Sequence, residues 1–249
     1  MNKIIAANWK NNGSKNLIKK YFDYLLKNIN INNNNKIIFF PPDIYIDYFY
    51  NFIKEQNFYI GGQDLVCNSD NATLTGGTKS EMFVDNCCDY ILVGHSEKRK
   101  YESGILDDKN ISYKLKNINN LKVVFCIGEE ILDRENNNTN NILSSQLNDL
   151  ILNYNNHNKI IIAYEPVWAI GTGKIPSNTE ISKTHEFIKN FIIEKLPSLK
   201  EKDIMVLYGG SVNSKNASTI LKLDHVDGVL VGGASLDAIE FTKICNIEL

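Results

Sequence analysis

Apolar residues along the chain fall into short unbroken runs, separated by stretches in which they recur every three or four positions. The runs are Ile4–Ala7, Ile37–Phe40, Phe58–Ile60, Tyr90–Val93, Val123–Cys126, Ile160–Tyr164, Ile204–Tyr208 and Val229–Val231. They are continuous rather than alternating and rich in Ile, Val and aromatics, the pattern of strands buried on both faces of a parallel sheet. The stretches between them predict helices. Leu17, Ile18, Tyr21, Phe22, Leu25, Leu26 and Ile29 form one apolar stripe behind an N-cap at Ser14. Leu143, Leu147, Leu150, Ile151 and Tyr154 form a second. A third runs through Ile181, Ile188, Phe191, Ile192 and Leu196, opened by a capping box of Ser177 with Glu180 and stopped by Pro197. The asparagine tracts Asn30–Asn35 and Asn136–Asn141 read as solvated connections.

Strand-helix units of this number in 249 residues match a (β/α)8 barrel, read as a single domain over residues 1–249. The alternative is a doubly wound open sheet. Such a sheet more often carries a G-x-G-x-x-G turn after its first strand, whereas the first run here continues into Asn8-Trp9-Lys10 with no glycine before Gly13.

Composition narrows the partners. A chain with 43% hydrophobic and 22% charged residues is ordinary globular protein, long enough for one sizeable core without disulfide or metal staples. Net charge is -2 and the 27 basic residues are scattered, so the basic footprint of a nucleic-acid-binding protein is missing and any anionic ligand must be caught locally. The five cysteines, Cys67, Cys87, Cys88, Cys126 and Cys245, are odd in number and lack metal-ligand spacing, which fits a reducing compartment. Redox sensitivity of Cys67 or Cys245 turns on whether either is exposed. No apolar run approaches the roughly 20 residues that span a bilayer. With the first strand opening at Lys3, no signal peptide is expected, and the expected location is cytoplasmic, or an organellar stroma if a transit peptide has been removed.

In a barrel the chemistry gathers on the loops after the C-terminal strand ends. Those positions hold Asn8 and Lys10, Gly94-His95-Ser96-Glu97, Glu165-Pro166-Val167-Trp168, Gly209-Gly210-Ser211 and Gly232-Gly233. His95 precedes what reads as the first turn of a helix, where added positive charge is disfavoured and a neutral imidazole can donate to a substrate oxygen. The other reading is a histidine satisfying a backbone group at a strand end. His157, His185 and His225 read as surface residues. Glu165 follows an apolar run, so desolvation should raise its pKa toward that of a general base; the other reading is a core-edge glutamate paired with a lysine. Pro166 to Lys174, with Trp168-Ala169-Ile170 in the middle and Gly171-Thr172-Gly173 near the end, describes a lid with stiff hinges and a water-excluding tip. Paired glycines after two consecutive late strands match the phosphate site common in barrels. One base, one neutral electrophile, one lysine and a phosphate cradle suggest proton abstraction next to a carbonyl on a small phosphorylated molecule, with no metal ligand set and no cofactor fingerprint.

The residues resemble the triosephosphate isomerase family through Asn8-Trp9-Lys10, Val93-Gly94-His95-Ser96-Glu97, Cys126-Ile127-Gly128-Glu129, Ala163 to Lys174, Tyr208-Gly209-Gly210-Ser211-Val212 and Leu230 to Leu236, from end to end of the chain. The resemblance implies a TIM barrel that interconverts dihydroxyacetone phosphate and D-glyceraldehyde 3-phosphate through an enediolate, without cofactor or metal, in glycolysis and gluconeogenesis. Carried over residue by residue, it makes Glu165 the base and His95 the neutral electrophile, with Lys10 and Asn8 stabilising charge and Glu97 a polar partner in the cluster. Gly171, Ser211, Gly232 and Gly233 would bind the phosphate. Pro166, Trp168, Thr172 and Lys174 would belong to the lid, latched by Tyr208 and Ser211.

The family is normally a homodimer whose third loop props up the partner's lysine and histidine. Here that loop resembles Gln63-Asp64 through Leu74-Thr75-Gly76-Gly77, with Thr75 and Gly76 at its tip. Family members usually carry asparagine at Asp64, glutamate at Gly77, arginine at Lys98 and glutamate near Gly104. That glutamate and arginine ordinarily pair across the interface, so a dimer that is weaker or held differently is expected. Two other functions compete with the isomerase: a catalytically silent copy acting as a binding protein, and an epimerase-like barrel enzyme, which would usually need a metal or a second acid.

Overall fold

The computed structural model describes residues 3–30, 34–66, 75–101, 108–154, 159–172 and 174–248. Cys67, Leu74, Gly104, His157 and Gly173 lie outside the described residues. Eight parallel strands close into one barrel in sequence order: β1 (Ile4–Asn8), β2 (Lys36–Phe40), β3 (Phe58–Gly62), β4 (Tyr90–Val93), β5 (Lys122–Ile127), β6 (Ile160–Tyr164), β7 (Ile204–Tyr208) and β8 (Gly228–Val231). Closure is made by β1, where Ile5 stands in register with Ile37 on one side and Val229 on the other. Helices alternate with the strands: α1 (Lys15–Asn28), α2 (Ile46–Ile53), α3 (Ser80–Asp85), α4 (Ser96–Tyr101), α5 (Asp108–Lys116), α6 (Ile131–Glu135), α7 (Thr139–Asn153), α8 (Asn178–Lys195), α9 (Ala217–Leu221) and α10 (Ala238–Cys245).

The unbroken apolar runs have their explanation in two buried layers. Alternate strand residues, among them Ile4, Ala6, Ile38, Phe40, Leu92, Val124, Ala163 and Leu207, fill the barrel. Their neighbours Ile5, Ala7, Phe39, Ile91, Val93, Phe125 and Ile162 meet the helix stripes, including Ile18, Phe22, Leu143, Leu147, Ile181 and Ile188. Both faces are dry along the middle of these strands, so polar residues such as Asn8, Lys36 and Lys122 stand only at their ends. Ser14 caps α1 by accepting from the Leu17 N–H at 3.2 Å. Ser177 and Glu180 form the reciprocal box on α8, with Ser177 N–H donating to Glu180 Oε2 at 2.7 Å.

The asparagine tracts are more than solvated connections. Asn138 Oδ1 accepts from Asn141 Nδ2 at 2.9 Å as α7 begins at Thr139, so the second half of that tract opens a helix, where short polar side chains are at home. Asn35 Oδ1 accepts the Lys3 N–H at 3.2 Å and its Nδ2 donates to Ile247 O at 3.2 Å, fastening the entry to β2 against both ends of the chain. Cys245 is 1% exposed inside α10, and burial pushes its thiol well above the ordinary range, which removes it as a thiolate sensor.

His185 is not the surface residue its helical context suggests. It is fully buried, its ring edge-on to Tyr164 at 5.8 Å, with Nδ1 3.3 Å from the His225 carbonyl. That contact places the proton on Nδ1 and leaves Nε2, which has no hydrogen-bond partner among the described residues, as a bare lone pair. Burial, reinforced by the nearby Lys189 ammonium, pushes the imidazole down from 6.5 to about 3. The unfolded chain takes up this proton near 6.5 and the folded chain only near 3, so stability falls as pH drops through that window. Urea unfolding between pH 6 and pH 4 should show the natural chain losing about 1.4 kcal/mol per pH unit more than a His185→Phe variant; parallel curves would mean that His185 titrates normally in the folded state.

Candidate active site

The strand ends deliver their polar residues to one mouth of the barrel. Asn8, the last residue of β1, is 4% exposed and its Oδ1 accepts the Lys10 N–H at 3.0 Å. Lys10 itself has a left-handed backbone, φ 51, a conformation that a non-glycine residue holds only when its surroundings enforce it. The enforcement is visible: Gln63, past the end of β3, donates Nε2 to Lys10 O at 2.7 Å and to Phe40 O at 2.9 Å. The lysine ammonium then meets Glu97 Oε1 at 2.6 Å.

His95 and Ser96 stand where β4 passes into α4. The Glu97 N–H donates to His95 Nδ1 at 3.2 Å, so Nδ1 carries the lone pair and the proton sits on Nε2, 3.1 Å from Glu165 Oε1. Burial pulls the ring's proton affinity down and the Glu165 carboxylate more than restores it, to above the ordinary value. A second proton on Nδ1 would set two N–H groups face to face, so the Glu97 N–H opposes protonation there. Glu165 is 2% exposed and accepts the Ser96 N–H on Oε2 at 3.0 Å, at the positive end of α4. Desolvation is the largest influence on its carboxyl and raises it, as the sequence suggests. Together the His95 contact, the Ser96 N–H and Lys10 outweigh burial, so Glu165 rests below its ordinary value. The approach is tight on the far side too, since a side chain begun at Gly209 would lie 2.9 Å from Glu165 Cγ.

Asn8, Lys10, His95 and Glu165 line one pocket of about 350 Å³ together with Gly171, Ser211, Gly232 and Gly233. Gly232 precedes a single 3-10 turn, Gly233–Leu236, and the point where its side chain would begin is 3.8 Å from Lys10 Cε, so the glycine and the lysine are neighbours in the pocket. Glu97 lies behind Lys10, lining an adjoining cleft of about 430 Å³ with Gln63 and Lys98.

The segment after Glu165 begins as a stem. Pro166 leads into one 3-10 turn, Val167–Ala169, and Ser211 Oγ donates to Ala169 O at 2.7 Å. Trp168 does not reach over the pocket; it is half-buried and its Nε1 donates to Glu129 Oε1 at 3.1 Å. Ile170 and Gly171 are the stretch's pocket-lining residues. Thr172 Oγ1 donates to Trp168 O and accepts the Lys174 N–H, both at 3.2 Å. The Tyr208 hydroxyl is buried with no hydrogen-bond partner among the described residues. Glu129 is a residue to which sequence reasoning gave no role: its Oε1 also takes Tyr164 OH and Arg134 Nη1 at 3.1 Å each, and Arg134 continues to Glu180 at 2.8 Å, holding that carboxyl at about 2.

The triosephosphate isomerase family model matches residues 3–248. The chain belongs to the triosephosphate isomerase family. Proteins named triosephosphate isomerase from Francisella tularensis subsp. mediasiatica, Hydrogenovibrio crunogenus and Buchnera aphidicola are 37%, 35% and 38% identical to it, over 98 to 99% of this chain and 96 to 97% of theirs. It is thus an enzyme of the isomerase class, on the closed barrel that its sequence implies.

Against that family background the residue at position 64 has a local purpose. Asp64 receives the Lys114 ammonium on both carboxylate oxygens at 2.7 Å and Lys98 Nζ at 3.4 Å. Lys114 is 3% exposed, so its charge depends on this carboxylate. Asp64→Asn should therefore cost about 3–5 kcal/mol by leaving a buried cation uncompensated; a loss below about 1 kcal/mol in urea unfolding would show that Lys114 finds another acceptor.

Proposed function

We propose that the chain interconverts dihydroxyacetone phosphate and D-glyceraldehyde 3-phosphate with Glu165 as base, His95 as neutral electrophile, and Lys10 and Asn8 as stabilisers of developing charge. The observation that supports this reading is the 3.1 Å pairing of Glu165 Oε1 with His95 Nε2 in a pocket also lined by glycines and Ser211. Glu165 takes a proton from the carbon beside the substrate carbonyl, and the electron pair moves onto the carbonyl oxygen to give an enediolate. His95 Nε2–H hydrogen-bonds that oxygen and passes protons between the two oxygens, while the Lys10 ammonium offsets the negative charge. Return of the proton from Glu165 to the neighbouring carbon completes the exchange. Substrate entering the pocket displaces the Glu165–His95 and Ser96 contacts that hold the carboxyl low; burial, the largest influence, is then opposed by Lys10 and strengthens the base.

The phosphate is assigned to Gly171, Ser211, Gly232 and Gly233, where bare backbone approaches an anion closely and Lys10 faces it. Residues 166–174 act as the lid, latched through Ser211 and Tyr208, and exclude water that would otherwise intercept the enediolate. In a coupled assay, Glu165→Gln should lower kcat at least about 10²-fold to 10⁴-fold with the fold intact. Full activity in that variant would remove Glu165 as base, and inactivity of the natural chain would leave a phosphate-binding protein.

The working form is a homodimer in which Thr75 and Gly76, both exposed on their own subunit, reach toward a partner. Gly77 offers no carboxylate for a cross-interface ion pair, and Lys98 turns instead to Asp64 of its own chain. Such a pair is worth only about 0.2–1 kcal/mol, but the third loop it steadies bears on groups that need exact placement. Specific activity should accordingly fall on dilution into the nanomolar range and recover on concentration; constant activity together with a tight dimer by sedimentation would refute this.

A further inference from the structure

The β5–β6 ladder ends where Ile127 stands in register with Tyr164, yet Glu165 is the next residue along. Beyond that point nothing in the sheet fixes Gly128, whose N–H and carbonyl have run past the last strand partner. A side chain from α7 stands in for one. Gln146 Oε1 accepts the Gly128 N–H at 2.9 Å and Gln146 Nε2 donates to the Gly128 carbonyl at 3.1 Å. One amide thus holds both backbone groups of one residue, as a neighbouring strand would.

The residue so held is the surface on which the base rests. Glu165 N–H donates to Ile127 O at 2.7 Å, and Val167 N–H donates to Glu129 O at 3.1 Å, so residues 127–129 grip the chain on either side of Pro166. Gly128 touches the Glu165 backbone so closely that a Cβ there would lie 1.7 Å from the Glu165 carbonyl oxygen. No other residue type fits, and any shift of Gly128 is passed directly to Glu165. Gln146 is half-buried and sits on one wall of a cleft of about 320 Å³ that also reaches Ser96 and Val167, so neighbouring packing does not fill its place if it is shortened.

We infer that Gln146 is a positioning residue: by clamping Gly128 it fixes the backbone of Glu165 and of the stem that follows, and so sets where the base's carboxylate can reach. The inference rests on Glu165 being the base. It does not require Gln146 to touch substrate, and Gln146 lies outside the residues lining the pocket.

Two variants test it, each followed by thermal unfolding. Gln146→Met keeps the length and loses both hydrogen bonds; kcat should fall about 10-fold to 100-fold, the range expected when a reacting group is misplaced by up to about 1 Å, while KM changes less than about threefold because the phosphate end is untouched. Gln146→Glu gives a sharper readout. Ionised, it can still accept from the Gly128 N–H but opposes the Gly128 carbonyl; protonated, it offers one acceptor and one donor, as the amide does. Relative to the natural chain its kcat should be depressed at pH 8, where the carboxylate is ionised and faces the Gly128 carbonyl. Gln146→Met with kcat within about twofold of the natural chain, or Gln146→Glu with the natural kcat at pH 8, would overturn the inference. Glu165→Gln separates the two readings: if it stays active the base assignment has failed, whereas an inactive Glu165→Gln beside fully active Gln146 variants fails this inference alone.

Discussion

Closure of the barrel through β1 is the constraint on which everything else rests. Pairing Ile5 with both Ile37 and Val229 leaves no sheet edge, and because all strands are parallel it sends every C-terminal end to one rim. Residues as distant in sequence as Asn8, His95, Glu165 and Gly232 share a pocket for that reason alone. The same closure makes both strand faces dry, so polar groups can enter only where a strand ends.

At those ends the backbone is held by side chains rather than by the ladder. Gln63 holds the carbonyls of Lys10 and Phe40, Arg99 donates Nε to Gly94 O at 2.8 Å and Nη2 to Cys126 O at 3.1 Å, and Gln146 holds Gly128. Each places a planar, multiply hydrogen-bonding group at or near a strand terminus, where the ladder gives out. The left-handed Lys10 survives in this frame because its N–H and carbonyl are both engaged. Strain at the rim is therefore borne by Asn8 within the pocket and by Gln63 beside it.

Charge in the interior follows a related logic. Glu129, Asp64 and Lys189 are each paired, Glu129 with Arg134, Asp64 with Lys114, and Lys189 with Asp227 at 2.9 Å. Each pair joins a loop or helix to the barrel, so each contributes more through placement than through net stability. The Asp64 cluster also shows how one departure from the family pattern is absorbed by another: Lys98 at the rim is met by an acid of its own chain.

Much of this was legible in the amino-acid order. Runs such as Ile160–Tyr164 could only be strands with two buried faces, Ser14 and Ser177 announced their helices, and Glu165, His95 and the late glycine pairs stood at positions where only strand ends could place them. What the sequence left open were partnerships between distant segments. His185 sits in a polar helical stretch but faces Tyr164, and Trp168, apolar by type, is drawn to Glu129 instead of the pocket. Gln146 lies one position before Leu147 in an apolar stripe and carries no local sign that it reaches Gly128. Burial and periodicity are properties of short stretches of chain and can be read there. The strength of a base, the charge on an imidazole and the hold on a loop depend on which groups the barrel brings within 3 Å or so of one another, a distance at which hydrogen bonds form, and those groups come together only once the barrel has closed.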